Sequence, residues 1–254
     1  MKLDLKFYNT PIAHRGLHNG AKGFLENSLE AVNRAIFFNY GVEIDVQISS
    51  DKKVVVFHDD TLDRLTNEIG LIREKTFDEL KNILLLGSES TIPLLSDLLN
   101  IIDGRQPVLI EIKDQEGELG PNVGDLEKEV SKILSTYKGP AAVMSFNPYS
   151  LKAYRSFGGS YPIGLVTENF HQKEWPKVSA KELKLLRELV YFDKMSCDFI
   201  SHNFRNLDTQ PVESLRNRGV PILSWTIKSI KDEAIARKKS VNITFEGYMA
   251  NHVY

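Results

Sequence analysis

In the run GVEIDVQIS (41–49), Val42, Ile44, Val46 and Ile48 alternate with Glu43, Asp45 and Gln47. VLIEIK (108–113) repeats the pattern, with Val108, Ile110 and Ile112 on one face and Leu109, Glu111 and Lys113 on the other. Side chains of a strand alternate between its two faces, so each run carries an apolar row and a row that includes acids. Three carboxylates turned into one enclosed space would repel one another and lose their hydration. A hard divalent cation removes that difficulty, because Mg²⁺ and Ca²⁺ both take carboxylate oxygens. The same acids could instead lie on the wet face of an antiparallel sheet; the shared parity of Glu43, Asp45 and Glu111 favours the enclosed arrangement.

Two histidines end apolar runs in the same way. His14 closes Ile12-Ala13-His14-Arg15-Gly16, and His58 closes Val54-Val55-Val56-Phe57-His58. Histidine titrates near neutrality and can move protons as a general acid or base; a lone histidine more often rests on a backbone carbonyl. Arg15 and Lys113 adjoin the acids and either pair with them or hold an anion. Two histidines, three acids and two cations together suit a phosphodiester held on a metal ion. Trp225, opposite in parity to Ser224 and Thr226, either lines the mouth of such a site or packs in the core. His202 has the same two readings, Glu246 either enters the site or ends its strand, and His18 is expected in solvent.

These residues need a frame that brings strand ends together. Short β-rich runs at 12–16, 41–49, 108–113, 141–146, 162–167, 199–204, 221–226 and 242–247 alternate with helical patterns at 28–39, 124–136, 148–156, 179–191, 209–217 and 230–238. Strand–helix alternation of this kind builds a parallel sheet, and eight units in 254 residues favour an α/β fold of the closed (β/α)₈ TIM-barrel type. Catalytic groups of such barrels come from the carboxyl ends of the strands, where His14 and His58 fall. Residues 50–107 are too long for one crossover. They read as an insertion after the second strand, with a hairpin partner at 54–57 and helices near 76–86 and 94–103, capping one mouth of a single domain spanning 1–254.

Bulk properties narrow the classes. Lys+Arg of 32 against Asp+Glu of 34 leaves a net charge of −2, which argues against nucleic-acid binding. No window approaches the ~20 apolar residues of a membrane span, and the first residues, MKLDLKFYNTP, lack a leader's apolar core, so a cytoplasmic protein without stable membrane insertion is expected. The single cysteine, Cys197, forms no intrachain disulfide and reads as a small buried side chain. Oligomeric state has no signature in these residues.

In order and spacing, His14-Arg15-Gly16, Glu26-Asn27-Ser28, Glu43-Ile44-Asp45-Val46, Val56-Phe57-His58-Asp59 and Glu111-Ile112-Lys113 resemble the glycerophosphodiester phosphodiesterase family of the bacterial, cytosolic type. Ser145-Phe146-Asn147, Gly164-Leu165-Val166-Thr167 and Pro221-Ile222-Leu223-Ser224-Trp225-Thr226 extend the match over nearly the whole chain. The resemblance implies a (β/α)₈ barrel with a small insertion after its second strand. It implies hydrolysis of small glycerophosphodiesters to sn-glycerol 3-phosphate and an alcohol, by way of a cyclic phosphate. Glu43, Asp45 and Glu111 would then hold one divalent cation, Mg²⁺ or Ca²⁺, and His14 and His58 would be the acid–base pair. Arg15 and Lys113 would bind phosphate, with Asn27 in the same shell. The chain departs from the family's usual Thr-Asp-x-Pro at the last strand, which here reads Thr244-Phe245-Glu246-Gly247. Two other functions fit such a site: a phospholipase D- or C-like activity on lysophospholipids or phosphoinositides, and a non-catalytic barrel that binds phosphate esters.

Overall fold

In the computed structural model, which describes residues 1–252, the strands are β1 (Ile12–Ala13), β2 (Gly41–Ile48), β3 (Val54–Val56), β4 (Val108–Ile112), β5 (Ala141–Ser145), β6 (Ile163–Thr167), β7 (Phe199–Asn203), β8 (Ile222–Ile227) and β9 (Asn242–Phe245). Parallel pairing runs from β2 through β4, β5, β6, β7 and β8 to β9, and β1 joins β2 to β9. Eight parallel strands thus close into a (β/α)₈ barrel, as expected. β3 stands outside the ring, antiparallel on the carboxyl end of β2.

The alternating sequence sorts directly into layers. Val42, Ile44 and Val46 on β2, with Val108, Ile110 and Ile112 on β4, are fully buried in the main core with residues of the surrounding helices. The opposite rows fill the barrel: Leu109, Ala142, Met144, Val166, Phe199 and Leu223 form a separate cluster. Leu3 and Phe7 join it from the amino-terminal end, where the Lys6–Asn9 helix plugs the barrel. Asn242 ties that plug to β9 by donating to the carbonyls of Phe7 (2.8 Å) and Thr10 (2.6 Å). Gly164 is the complement of Phe199: a Cβ there would come within 2.2–2.5 Å of three atoms of the Phe199 ring.

Residues 50–107 build their own apolar cluster from Val55, Phe57, Leu62, Ile72, Leu80 and Leu85, which also takes in Leu25. Two expected helices come out shorter. Thr76 and Glu79 start Phe77–Leu80 with reciprocal capping hydrogen bonds. That helix ends after Leu80 because the chain then pairs with other backbone, Leu85 N–H donating to Ser90 O and Leu86 N–H to Leu65 O. The 179–191 pattern divides into Ala180–Arg187 and Val190–Lys194 where Leu189 turns to φ 54°. Among the described residues, no helix is long and apolar enough to cross a membrane.

His202 proves to be a core histidine. It is buried on β7, bonded through Nδ1 to Thr167 Oγ1 (2.7 Å) and facing Asn206 O through Nε2 (3.2 Å). Burial is the main force lowering its pKa from 6.5 to about 4. The folded chain therefore binds fewer protons than the unfolded one between those values, and stability rises with pH across that window. We expect His202 to cost roughly 3 kcal/mol of stability as the pH falls from 7 to below 4. Urea midpoints at pH 7, 5.5 and 4.5 should show this slope in the native chain and a shallower one in His202→Gln.

Candidate active site

The first loop is shaped to deliver Arg15. Arg15 and Gly16 both have positive φ, 53° and 79°. A Cβ on Gly16 would lie 2.8 Å from the Ala31 carbonyl carbon, so the turn needs glycine. The turn aims the Arg15 N–H at Glu43 Oε2 (2.9 Å). Asn27 is fixed by its neighbour: Ser28 caps the Leu29–Phe37 helix by accepting from Ala31 N–H (3.1 Å). Asn27 then faces Asp45 twice, donating to Oδ2 (3.0 Å) and accepting from the Asp45 N–H (3.2 Å). The hairpin to β3 brings the chain back to the same level, with Phe57 N–H on Asp45 O (3.0 Å). Gln47 donates to His58 O (3.2 Å) and so pins the turn that presents His58.

These residues meet at the carboxyl ends of the strands, in a cavity of about 200 Å³ lined by His14, Arg15, Glu43, Asp45, His58, Glu111, Lys113 and Trp225. A larger groove of about 350 Å³ lies by Leu99, Tyr137 and Lys138, on segments that lead into the amino-terminal ends of β4 and β5, without such a cluster. Convergent charge, not size, marks the site. Arg15 Nε sits 3.4 Å from Asp45 and Lys113 Nζ 3.6 Å; Lys113 also reaches Glu111 Oε1 at 3.0 Å. Glu43 has no Lys or Arg side chain on it; His14 Nε2 stands 3.9 Å away. Arg15 Nε is buried without a hydrogen bond, held against Asp45 by charge alone.

Electrostatics divide the acids. Burial, then the charges of Asp45 and Glu111, push the Glu43 carboxyl well above its usual range. Burial also acts against ionised Asp45, but Lys113, His58, Arg15 and the Asn27 hydrogen bond outweigh it and hold Asp45 low. Lys113 is buried too, yet Glu111 and Asp45 raise its pKa above the ordinary value. Oxygens of Glu43, Asp45 and Glu111 lie within 4.8 Å of one another. All three acids offer the hard oxygen donors that Mg²⁺ or Ca²⁺ takes, and a cation among them would offset the repulsion that raises the Glu43 pKa. The residues fit such an ion.

Each histidine is anchored through Nδ1. His58 pairs with Asp59 Oδ1 (2.6 Å), and Arg64 clamps Asp59 to Glu26, which also holds Arg15 (2.7 Å). His14 pairs with Glu246 Oε2 (2.6 Å), a contact across 232 residues. Burial lowers the His14 pKa, partly offset by that hydrogen bond. Held in this way, both rings keep Nε2 for the cavity.

All nine expected site residues come together, eight in the cavity wall and Asn27 behind Asp45. Trp225, left open by parity, lines the wall with its Nε1 on Ser201 O (2.9 Å). His18 departs from expectation: its side chain is only 22% exposed, and Nε2 stands 3.6 Å from Glu246 because the loop after β1 folds back over that carboxylate. Glu246 enters the site, which the inward parity of Thr244 and Glu246 signals. Phe146 was missed, although Ala142 and Met144 set its inward face; it meets Trp225 edge-on at 5.6 Å. Cys197 is buried and remote, its thiol pushed up to about 12 mainly by burial.

Residues 14–244 match the model of the glycerophosphoryl diester phosphodiesterase family. A glycerophosphodiester phosphodiesterase of Caldanaerobacter subterraneus is 29% identical over 231 residues, covering 87% of this chain and 86% of that one. Among solved structures, an Oleispira antarctica phosphodiesterase in complex with the product sn-glycerol-3-phosphate superposes with a TM-score of 0.73 at 25% identity, over 93% of this chain and 92% of that one. A Thermotoga maritima glycerophosphodiester phosphodiesterase shares the fold, with a TM-score of 0.70 at 24% identity, over 93% and 94%. With the family model running from the first site histidine to the last strand of the barrel, the chain is an enzyme of the glycerophosphoryl diester phosphodiesterase family.

Proposed function

We propose that the chain hydrolyses glycerophosphodiesters to sn-glycerol 3-phosphate and an alcohol, and that it does so with one divalent cation, Mg²⁺ or Ca²⁺. The observation that carries this reading is the meeting of two anchored histidines, three buried acids and two partly buried cations in one small cavity. The product in the Oleispira complex supports the glycerol-phosphate half of the substrate. Glu43, Asp45 and Glu111 would hold the cation, whose charge, when bound, would offset charge gathering on the phosphoryl oxygens.

Arg15 and Lys113, both in the cavity wall, would bind and orient the phosphate. Asn27 keeps Asp45 in place, and Trp225 walls the cavity against water. One histidine would take the proton from a glycerol hydroxyl as its oxygen attacks phosphorus. The other would give a proton to the departing alcohol oxygen as the P–O bond breaks, leaving a cyclic phosphate. Water then opens the ring with the two roles exchanged, which restores both histidines. Asp59 and Glu246 hold the rings through Nδ1, so each proton passes at Nε2.

The test is release of glycerol 3-phosphate from glycerophosphocholine and glycerophosphoethanolamine, beside a micellar lysophospholipid. Turnover of the soluble diesters is the expected result. Turnover of the lysolipid alone would move the reading to a phospholipase, and turnover of none would leave a binding protein.

A further inference from the structure

The catalytic reading leaves His18 and Lys228 without a task, yet both converge on Glu246. Its Oε1 meets Lys228 Nζ at 2.5 Å. Its Oε2 meets His14 Nδ1 at 2.6 Å and His18 Nε2 at 3.6 Å. That last distance is too long for a hydrogen bond, and His18 Nε2 is shut off from solvent with no hydrogen-bond partner. One donor atom from each of His14, His18 and Glu246 lies within 4.8 Å of the other two.

We infer that His14, His18 and Glu246 form a second cation site that takes Zn²⁺ and, when filled, switches the enzyme off. Two imidazole nitrogens and one carboxylate oxygen are a borderline-soft donor set suited to zinc and poorly suited to Mg²⁺ or Ca²⁺. The oxygen-only set of Glu43, Asp45 and Glu111 has the opposite preference. His14 stands between the two sites, Nδ1 toward Glu246 and Nε2 toward Glu43. Lys228 holds the other carboxylate oxygen, so it does not block the zinc position, although its charge weakens binding there.

The inhibitory half rests on His14 being one of the acid–base pair. Zinc on Nδ1 would displace the proton held toward Glu246, which passes through solvent to Nε2, so the neutral ring carries its one proton there. Further proton transfer would then run between imidazole and imidazolate, outside the neutral range. Inhibition acts on proton transfer and leaves Arg15 and Lys113 to bind the phosphate, so it should lower kcat with little change in KM.

Zinc chloride is titrated calorimetrically into the full chain in millimolar Mg²⁺, with diester turnover followed in parallel. We expect one Zn²⁺ to bind per chain and turnover to fall at the same zinc concentration. His18→Ala should weaken binding and inhibition together by at least ~10-fold while turnover without zinc persists. Lys228→Ala should shift both the other way, roughly threefold or more. Zinc binding that His18→Ala leaves unchanged would place the ion elsewhere and overturn the site, as would no binding at all. Binding without loss of turnover would overturn the switch and keep the site. Calorimetry decides the site even if neither diester is a substrate.

Discussion

Alanine at His14 or at His58 should lower kcat at least ~10²-fold, because each removes one of the two groups proposed to move protons at the reacting oxygens. KM should change little, since Arg15 and Lys113 remain to bind the phosphate. The pair should also behave as a unit. Once one transfer is lost the other gains nothing, so the double variant should be scarcely slower than the worse single one. Asp59→Asn and Glu246→Gln provide a control of a different kind. They keep a hydrogen bond to Nδ1 but withdraw the charge, and should slow turnover less than loss of the ring. Steady-state kinetics of the four single variants and the double one check the set. Near-native kcat in either alanine variant would remove that histidine from the proposed mechanism.

The second large effect concerns the acids. Dialysis against EDTA should bring turnover to background, and Mg²⁺, Ca²⁺ or Mn²⁺ added back should restore it to differing extents. The cause is visible in Glu43: with burial and two neighbouring carboxylates driving its pKa up, the ion-free protein takes up a proton there more readily than an ordinary carboxyl would. Protonation removes the third charged ligand. Metal binding and proton release are therefore linked, and the metal requirement should grow steeper as the pH falls. A readout independent of catalysis exists. An ion present at about 100 times its Kd adds ~2.7 kcal/mol to the folded state, so thermal unfolding should shift upward with metal and back with EDTA. Asp45→Asn should abolish both the shift and the turnover. EDTA-resistant turnover would dismiss the metal from the reaction, leaving the three acids as partners of Arg15 and Lys113.

Much of this was legible before any coordinates. Period-two alternation in 41–49 and 108–113 gave the faces of β2 and β4, because a strand buried on both sides keeps acids only where something inside the barrel needs them. The ring of strands followed from their number and spacing. What escaped depends on backbone geometry that side-chain periodicity does not encode. The 76–86 pattern is helical in period, but hydrogen bonds to Leu65 and Ser90 capture Leu85 and Leu86 instead. The segment after Arg187 keeps its apolar spacing through the turn at Leu189, so the break leaves no trace in the pattern. His18 looked like a loop residue and is one; its loop happens to return over Glu246. The Arg64 clamp on Glu26 and Asp59 joins residues up to 38 apart on irregular segments, where no period exists to read.

β1 has two residues, and its neighbours on either side are β2 and the last strand of the ring. The seam of the barrel thus joins the first and last strands of the ring, and His14 and Glu246 face each other directly across it. Without β9, β1 has only β2 beside it, and no carboxylate seats the His14 ring. Seating of β9, closure of the barrel and assembly of the proposed acid–base pair are therefore one event.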